Sequence, residues 1–105
     1  MDQRMEAEAT KNKEIRGYII RSLAMGSNNT LMVRTIANAL AGSNYILVQE
    51  EIGKHLDYLK DKGYIEYTPK EVRSYEAYRR GAVIRLTPRG VDLVEGTIED
   101  AGVLL

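Results

Sequence analysis

The side chains best equipped for chemistry in this chain are cations gathered toward its end: Lys70, Arg73, Arg79 and Arg80, with Tyr75 and Tyr78 beside them. Guanidinium groups bond phosphate oxygens in a planar fork and enter minor grooves, so the chemistry on offer is contact with a nucleic-acid backbone. Residues 70–89 carry six Lys or Arg against two Glu, a net of +4, whereas residues 90–105 carry four carboxylates and no base, a net of −4. The competing reading is a solvated hairpin tip in which Glu71 and Glu76 pair with those arginines and contribute little.

Other chemistries find no foothold. The 105 residues include no cysteine and a single histidine, His55, which excludes disulfides and sulfur-ligated zinc and leaves no basis for a metal site. The sequence carries no phosphate loop and no nucleophile elbow, and pairs such as Glu50 with Glu51 have no acid–base companion. The expectation is a protein that is not an enzyme and takes no cofactor. The absence of any apolar run of the roughly 18–20 residues a span requires, and a polar N-terminus, predict a cytoplasmic protein with no membrane partner.

The elements that must position the cationic cluster can be read from periodicity. Met5, Ala9, Ile15, Ile19 and Leu23 predict a helix over 3–25, frayed at its start. Leu31 and Met32 suggest a very short strand, and Val33, Ile36, Ala37 and Leu40 a second helix over 33–40 that ends in 41–44. A third helix is expected from residue 45 or 46 to 62, with Val48, Ile52, Leu56 or His55, and Leu59 turned inward. Gly63 caps it, and the period changes to two: Ile65 and Tyr67 on one face of a strand, Tyr64, Glu66 and Thr68 on the other. A return strand over 82–86 leads to Thr87 and Pro88, an N-cap followed by proline at the first helical position. The result is a mainly α chain with a small β-hairpin (α+β), arranged as one winged helix-turn-helix domain over 1–105: helix-turn-helix 33–62, wing 64–87, closing helix 88–96 and tail 97–105. The tail's Val103, Leu104 and Leu105 are too few to form structure alone.

The segments Ile36-Ala37 with Leu40, Leu56-Asp57-Tyr58-Leu59-Lys60-Asp61-Lys62-Gly63-Tyr64-Ile65 and Leu86-Thr87-Pro88-Arg89-Gly90 resemble the winged helix-turn-helix superfamily of bacterial transcriptional regulators, across rather more than half of the chain. The stretch from Leu86 to Gly96 is also similar to small winged-helix proteins of Mu-like prophages, which implies a phage or mobile-element origin. By that resemblance the third helix would present Gln49, Glu50, Glu51, Lys54, His55 and Asp57 to a major groove, and Arg34 would touch the backbone. Gln bonds adenine and Glu accepts from cytosine, yet the carboxylates also face phosphates, and the helix sums to −1. Glu50 and Glu51 serve equally well as complements to the positive end of the helix dipole, Arg34 as plain surface, and His55 as a packing residue.

Two functions stay open at this point. One is a regulator binding double-stranded DNA as a homodimer, joined through the first helix and the apolar tail; Ile15, Tyr18, Ile19 and Leu23 supply the surface unless they cover the core. The other is a winged-helix module that binds a protein partner without touching DNA. Zero net charge favours the second, and the wing favours the first.

Overall fold

Helix α1 (Gln3–Met25) starts where the Asp2 carboxylate accepts the Arg4 backbone N–H at 3.0 Å, an N-cap that satisfies one of the orphan donors of the first turn. The computed structural model describes residues 2–68, 76 and 81–105. After α1 a 3-10 turn (Ser27–Asn29) leads into strand β1 (Thr30–Met32) and helix α2 (Val33–Gly42). Helix α3 (Gln49–Asp61), strands β2 (Ile65–Thr68) and β3 (Val83–Leu86), and helix α4 (Pro88–Val94) follow. The class is the expected one: mainly helical, with a small antiparallel sheet.

Helices α2 and α3 end in the same way. Asn44 (φ 68°) and Gly63 (φ 80°) adopt the left-handed conformation just past each C-terminus. The next residue then reaches back, Tyr45 N–H to Leu40 O at 2.8 Å and Tyr64 N–H to Leu59 O at 3.0 Å. The pair of bonds closing each turn, completed by Asn44 N–H to Ala41 O and Gly63 N–H to Lys60 O, satisfies carbonyls that the helix leaves open. At α4 the expected start holds, because the Thr87 hydroxyl accepts from Gly90 N–H at 3.1 Å with Pro88 in the first turn.

The sheet runs β1-β3-β2, with β3 antiparallel to both neighbours. Tyr67 and Leu31 flank Ile84, and Ile65 lies opposite Leu86, so one face feeds the core. The other face sets Arg85 between Thr30 and Glu66. Ile15, Ile19 and Leu23 of α1, Ile36 and Leu40 of α2, and Ile52, Leu56 and Leu59 of α3 meet that inner face in a single buried cluster. Each such side chain removed from water contributes about 2 kcal/mol.

Three expectations need correction. Helix α3 begins at Gln49 rather than 45 or 46: the left-handed Asn44 turns the chain, and 45–48 runs without helix, leaving Val48 60% exposed instead of inward. Tyr64 precedes β2 and is buried, not turned outward with Glu66 and Thr68, because Thr87 N–H bonds its carbonyl and holds it against the start of α4. The closing helix stops at Val94. The tail forms no helix or strand of its own and is held by the rest of the fold: Val103 is 5% exposed and joins the core, Leu104 N–H bonds Lys13 O at 3.1 Å, and Arg16 Nη1 bonds Gly102 O at 3.2 Å. The tail lies so close to α1 that a Cβ on Gly17 would sit 1.6 Å from the Leu104 carbonyl oxygen, so only glycine fits there. With Ile15, Ile19, Leu23 and Val103 all in the core, these side chains are taken from any dimer interface; Leu104 and Leu105 remain about half exposed.

Candidate functional site

Helix α3 presents two different faces. Ile52, Leu56 and Leu59 turn inward, while Gln49, Glu50, Glu51, Lys54 and Asp57 are exposed. Five of the six residues expected to face outward by resemblance are therefore exposed, and the exposed carboxylates outnumber Lys54. Glu50 and Glu51 occupy the first turn, where the helix lacks a side-chain cap and its dipole is positive. Immediately before them Ile46, 85% exposed, and Val48 stand in solvent.

His55 does not belong to that outward face. It is 7% exposed and turned toward α1, because it lies one turn from Ile52 and Leu59 on the inward stripe. Burial comes first and the positive charges of Arg16 and Lys11 second in lowering its pKa to about 4, so the imidazole is neutral at pH 7. A groove contact through His55 would require the ring to leave the interior.

Arg34 is exposed in the first turn of α2. Lys70, Arg73, Arg79 and Arg80, with Tyr75 and Tyr78, lie outside the described residues. Arg85, at the described end of the wing, is engaged by Glu66: its Nη2 and Nε lie 2.5 and 2.9 Å from Glu66 Oε1, across directly paired strand positions.

Two polar constellations were not legible in the sequence. At the C-terminal junction the Tyr64 hydroxyl donates to Asp100 Oδ2 at 2.6 Å, Gly102 N–H donates to Asp100 Oδ1 at 2.7 Å, and Lys62 Nζ lies 3.5 Å from the same carboxylate. The Tyr64 bond holds the Asp100 carboxyl below the usual carboxylate range, with help from Gly102 and Lys62, while Asp100 in turn raises Lys62.

The second constellation is a cleft of about 300 Å3 between α1 and α3. Glu8, Asn12 and Arg16 recur every fourth residue along α1, and Glu51, Lys54, His55 and Tyr58 form the facing stripe of α3. The Arg16 guanidinium carbon lies over the Tyr58 ring, 3.8 Å from its centroid. Among the described residues neither Arg16 Nε nor His55 Nδ1, both buried, has a hydrogen-bond partner. Such a group costs roughly 1–3 kcal/mol when left unsatisfied, and native structures hold few of them.

The described residues contain no group of His, Cys, Asp and Glu able to hold a metal ion, and no described helix is long and apolar enough to cross a membrane. In comparisons with known proteins, no family model, curated protein or solved structure matched the chain.

Proposed function

We propose that this chain is a winged-helix DNA-binding protein, a cytoplasmic transcriptional regulator of phage or mobile-element origin that acts as a homodimer. The observation that carries the reading is the arrangement of elements: two helices joined across a left-handed turn, then a two-stranded ribbon whose second strand returns through the middle of a three-stranded sheet. In such a frame α3 lies along the major groove and the β2–β3 ribbon lies beside it. The charge agrees with that division of labour. The α3 face carries Gln49 and Lys54 among carboxylates, so affinity falls to Arg79, Arg80, Lys70 and Arg73 in the strongly basic 70–89 segment, with Arg34 as a backbone contact. Dimerisation would supply the area that one small module lacks.

A second reading has its own support. Exposed Ile46 and Val48 beside Glu50 and Glu51 form an apolar, acidic edge suited to a protein partner rather than to phosphates.

Fluorescence anisotropy against a labelled mixed-sequence duplex separates the two, at about 50 and 200 mM salt, a range over which phosphate-driven binding weakens by orders of magnitude. Salt-sensitive binding is expected, with Arg79→Ala and Arg80→Ala each reducing the salt slope by about one. Silence of both variants, or no binding at the lower salt, overturns the DNA reading and favours the protein partner.

A further inference from the structure

The first three turns of α1 contribute nothing to the core: between Gln3 and Glu14 no residue is buried. A frayed overhang would be indifferent to which polar residue stands where. Here Glu8 and Asn12 continue the line of Arg16 and form one wall of the cleft against α3. Two helices packed side by side ordinarily close over apolar side chains. Beyond the apolar core they share, these two face each other at the cleft through carboxylates, cations, an amide, an imidazole and a phenol.

The cleft also has a direction. Arg16 stacks on Tyr58 and Lys11 acts on His55, so α1 and α3 run past each other in the same sense, with Glu8 toward the Glu51 end. Glu8 is two turns from Arg16, about 12 Å of helix, and Glu51 is two turns from Tyr58, about 10 Å. One end is therefore cationic and the other acidic, with Lys54 between them. With His55 neutral, the charged lining residues, Arg16 and Lys54 against Glu8 and Glu51, sum to zero. A dianion would set its second charge against the glutamates, whereas a molecule of zero net charge with separated ends complements the whole length.

We propose that the cleft between α1 and α3 is a binding site for a small zwitterion, its carboxylate held by Arg16 and His55 and its ammonium group set between Glu8 and Glu51. Arg16 is prepared for the part. Its ring contact with Tyr58 and its Nη1 bond to Gly102 O hold the guanidinium and leave the buried Nε without a partner among the described residues, so a small rotation of the side chain brings the Nε edge, the side used for bidentate carboxylate binding, to the cleft. His55, from the opposite wall, holds the second buried atom without a partner among the described residues, Nδ1, and its neutral ring donates to a carboxylate from there in the Nδ1–H tautomer. The volume, at the low end for ligand sites, suits a molecule of a few carbons rather than a nucleotide. The site stands apart from the DNA reading and survives that reading's failure.

His55 is the one histidine of the chain, so its ring resonances in an NMR spectrum are unambiguous. The test is a titration of the full chain with 6-aminohexanoate, with hexanoate as the probe that lacks an ammonium group and sodium chloride as the ionic control. Expected is a saturable shift of the His55 signals by 6-aminohexanoate, about tenfold weaker binding of hexanoate and no saturable effect of chloride. Carboxylate binding should also raise the His55 pKa from about 4 by roughly one unit. Arg16→Gln should abolish the shift. Because that change also removes the bond to Gly102, the second variant is Glu8→Gln, on an exposed residue with no core contact, which should erase the advantage of 6-aminohexanoate over hexanoate. A response linear in probe, or matched by chloride, overturns the site; equal binding of the two probes with a silent Glu8→Gln overturns the zwitterion assignment.

Discussion

The C-terminal junction and the α1–α3 cleft both bring polar side chains against the same two helices, and they treat them in opposite ways. At the junction the Asp100 carboxylate has a phenol, a backbone amide and an ammonium group around it. In the cleft Arg16 Nε and His55 Nδ1 are buried with no partner among the described residues. A satisfied network stabilises a fold and defines one geometry, whereas uncommitted groups cost stability unless something else uses them. The contrast separates polar residues that hold the protein together from those whose presence the fold does not explain. Arg16 belongs to both regions, since its Nη1 bonds the tail and its Nε faces none of it.

The comparison can be tested hardest at Gly17, where the tail crosses α1. Gly→Ala in a helix interior ordinarily stabilises by about 1 kcal/mol. Here the added Cβ would lie 1.6 Å from the Leu104 carbonyl oxygen, a backbone atom that cannot swing aside. Gly17→Ala should therefore lose about 3 kcal/mol in urea denaturation and release the Leu104 amide to hydrogen exchange. A gain in stability would mean that the tail does not lie across α1, and the junction would lose its standing as the better-knit region.

Acid should act chiefly on the cleft. Its His55 pKa, about 4 in the folded protein, lies below the ordinary 6.5, so the unfolded chain takes up the proton first. The folded state is therefore at its most stable with respect to His55 above pH 6.5 and loses stability as pH falls toward 4, where the folded form protonates as well. After discounting for solvent at the cleft mouth, the loss is on the order of 2 kcal/mol. His55→Leu should flatten that part of the pH–stability curve and, by removing an unsatisfied polar atom, match or exceed the parent by about 1 kcal/mol at pH 7. If the variant is strongly destabilised at pH 7, the imidazole is a structural group and the contrast between the regions collapses.

What the sequence disclosed follows from how local each device is. The end of α3 at Gly63 and the start of α4 at Thr87 and Pro88 depend on residues within a few positions of each other, and the β2 and β3 faces alternate as their patterns dictate. The turn before α3 was harder, because the run Ile46-Leu47-Val48 reads as an apolar helix start while the decisive residue, Asn44, only shows its left-handed backbone in the fold. Neither polar region was legible, since their partners are far apart in the chain: Arg16 and Gly102 are 86 positions apart, Tyr64 and Asp100 are 36. Glu8, Asn12 and Arg16 look like a solvated stripe until α3 is laid against them. The basic residues of the wing, the clearest chemical signal in the sequence, fall largely outside the described residues, and it is their charge that supports their role.

The smallest effect is the most specific to the junction. In Tyr64→Phe the ring still fills its buried site, and only the hydroxyl bonded to Asp100 is lost. Asp100 keeps Gly102 N–H and Lys62, so the cost should be about 1 kcal/mol at pH 7, well below that of exposing the carboxylate altogether. The pH dependence identifies the cause. The Tyr64 bond is the largest influence holding the Asp100 pKa under its ordinary 3.8, and a depressed folded pKa gives stability that is present above that value and lost as pH falls through the folded one. Parent and variant should therefore differ near neutrality and converge in strong acid, as Asp100 protonates in both. A difference that persists unchanged through acid would assign the loss to packing of the ring, and would leave the Asp100 network no better at holding the fold than the cleft it is contrasted with.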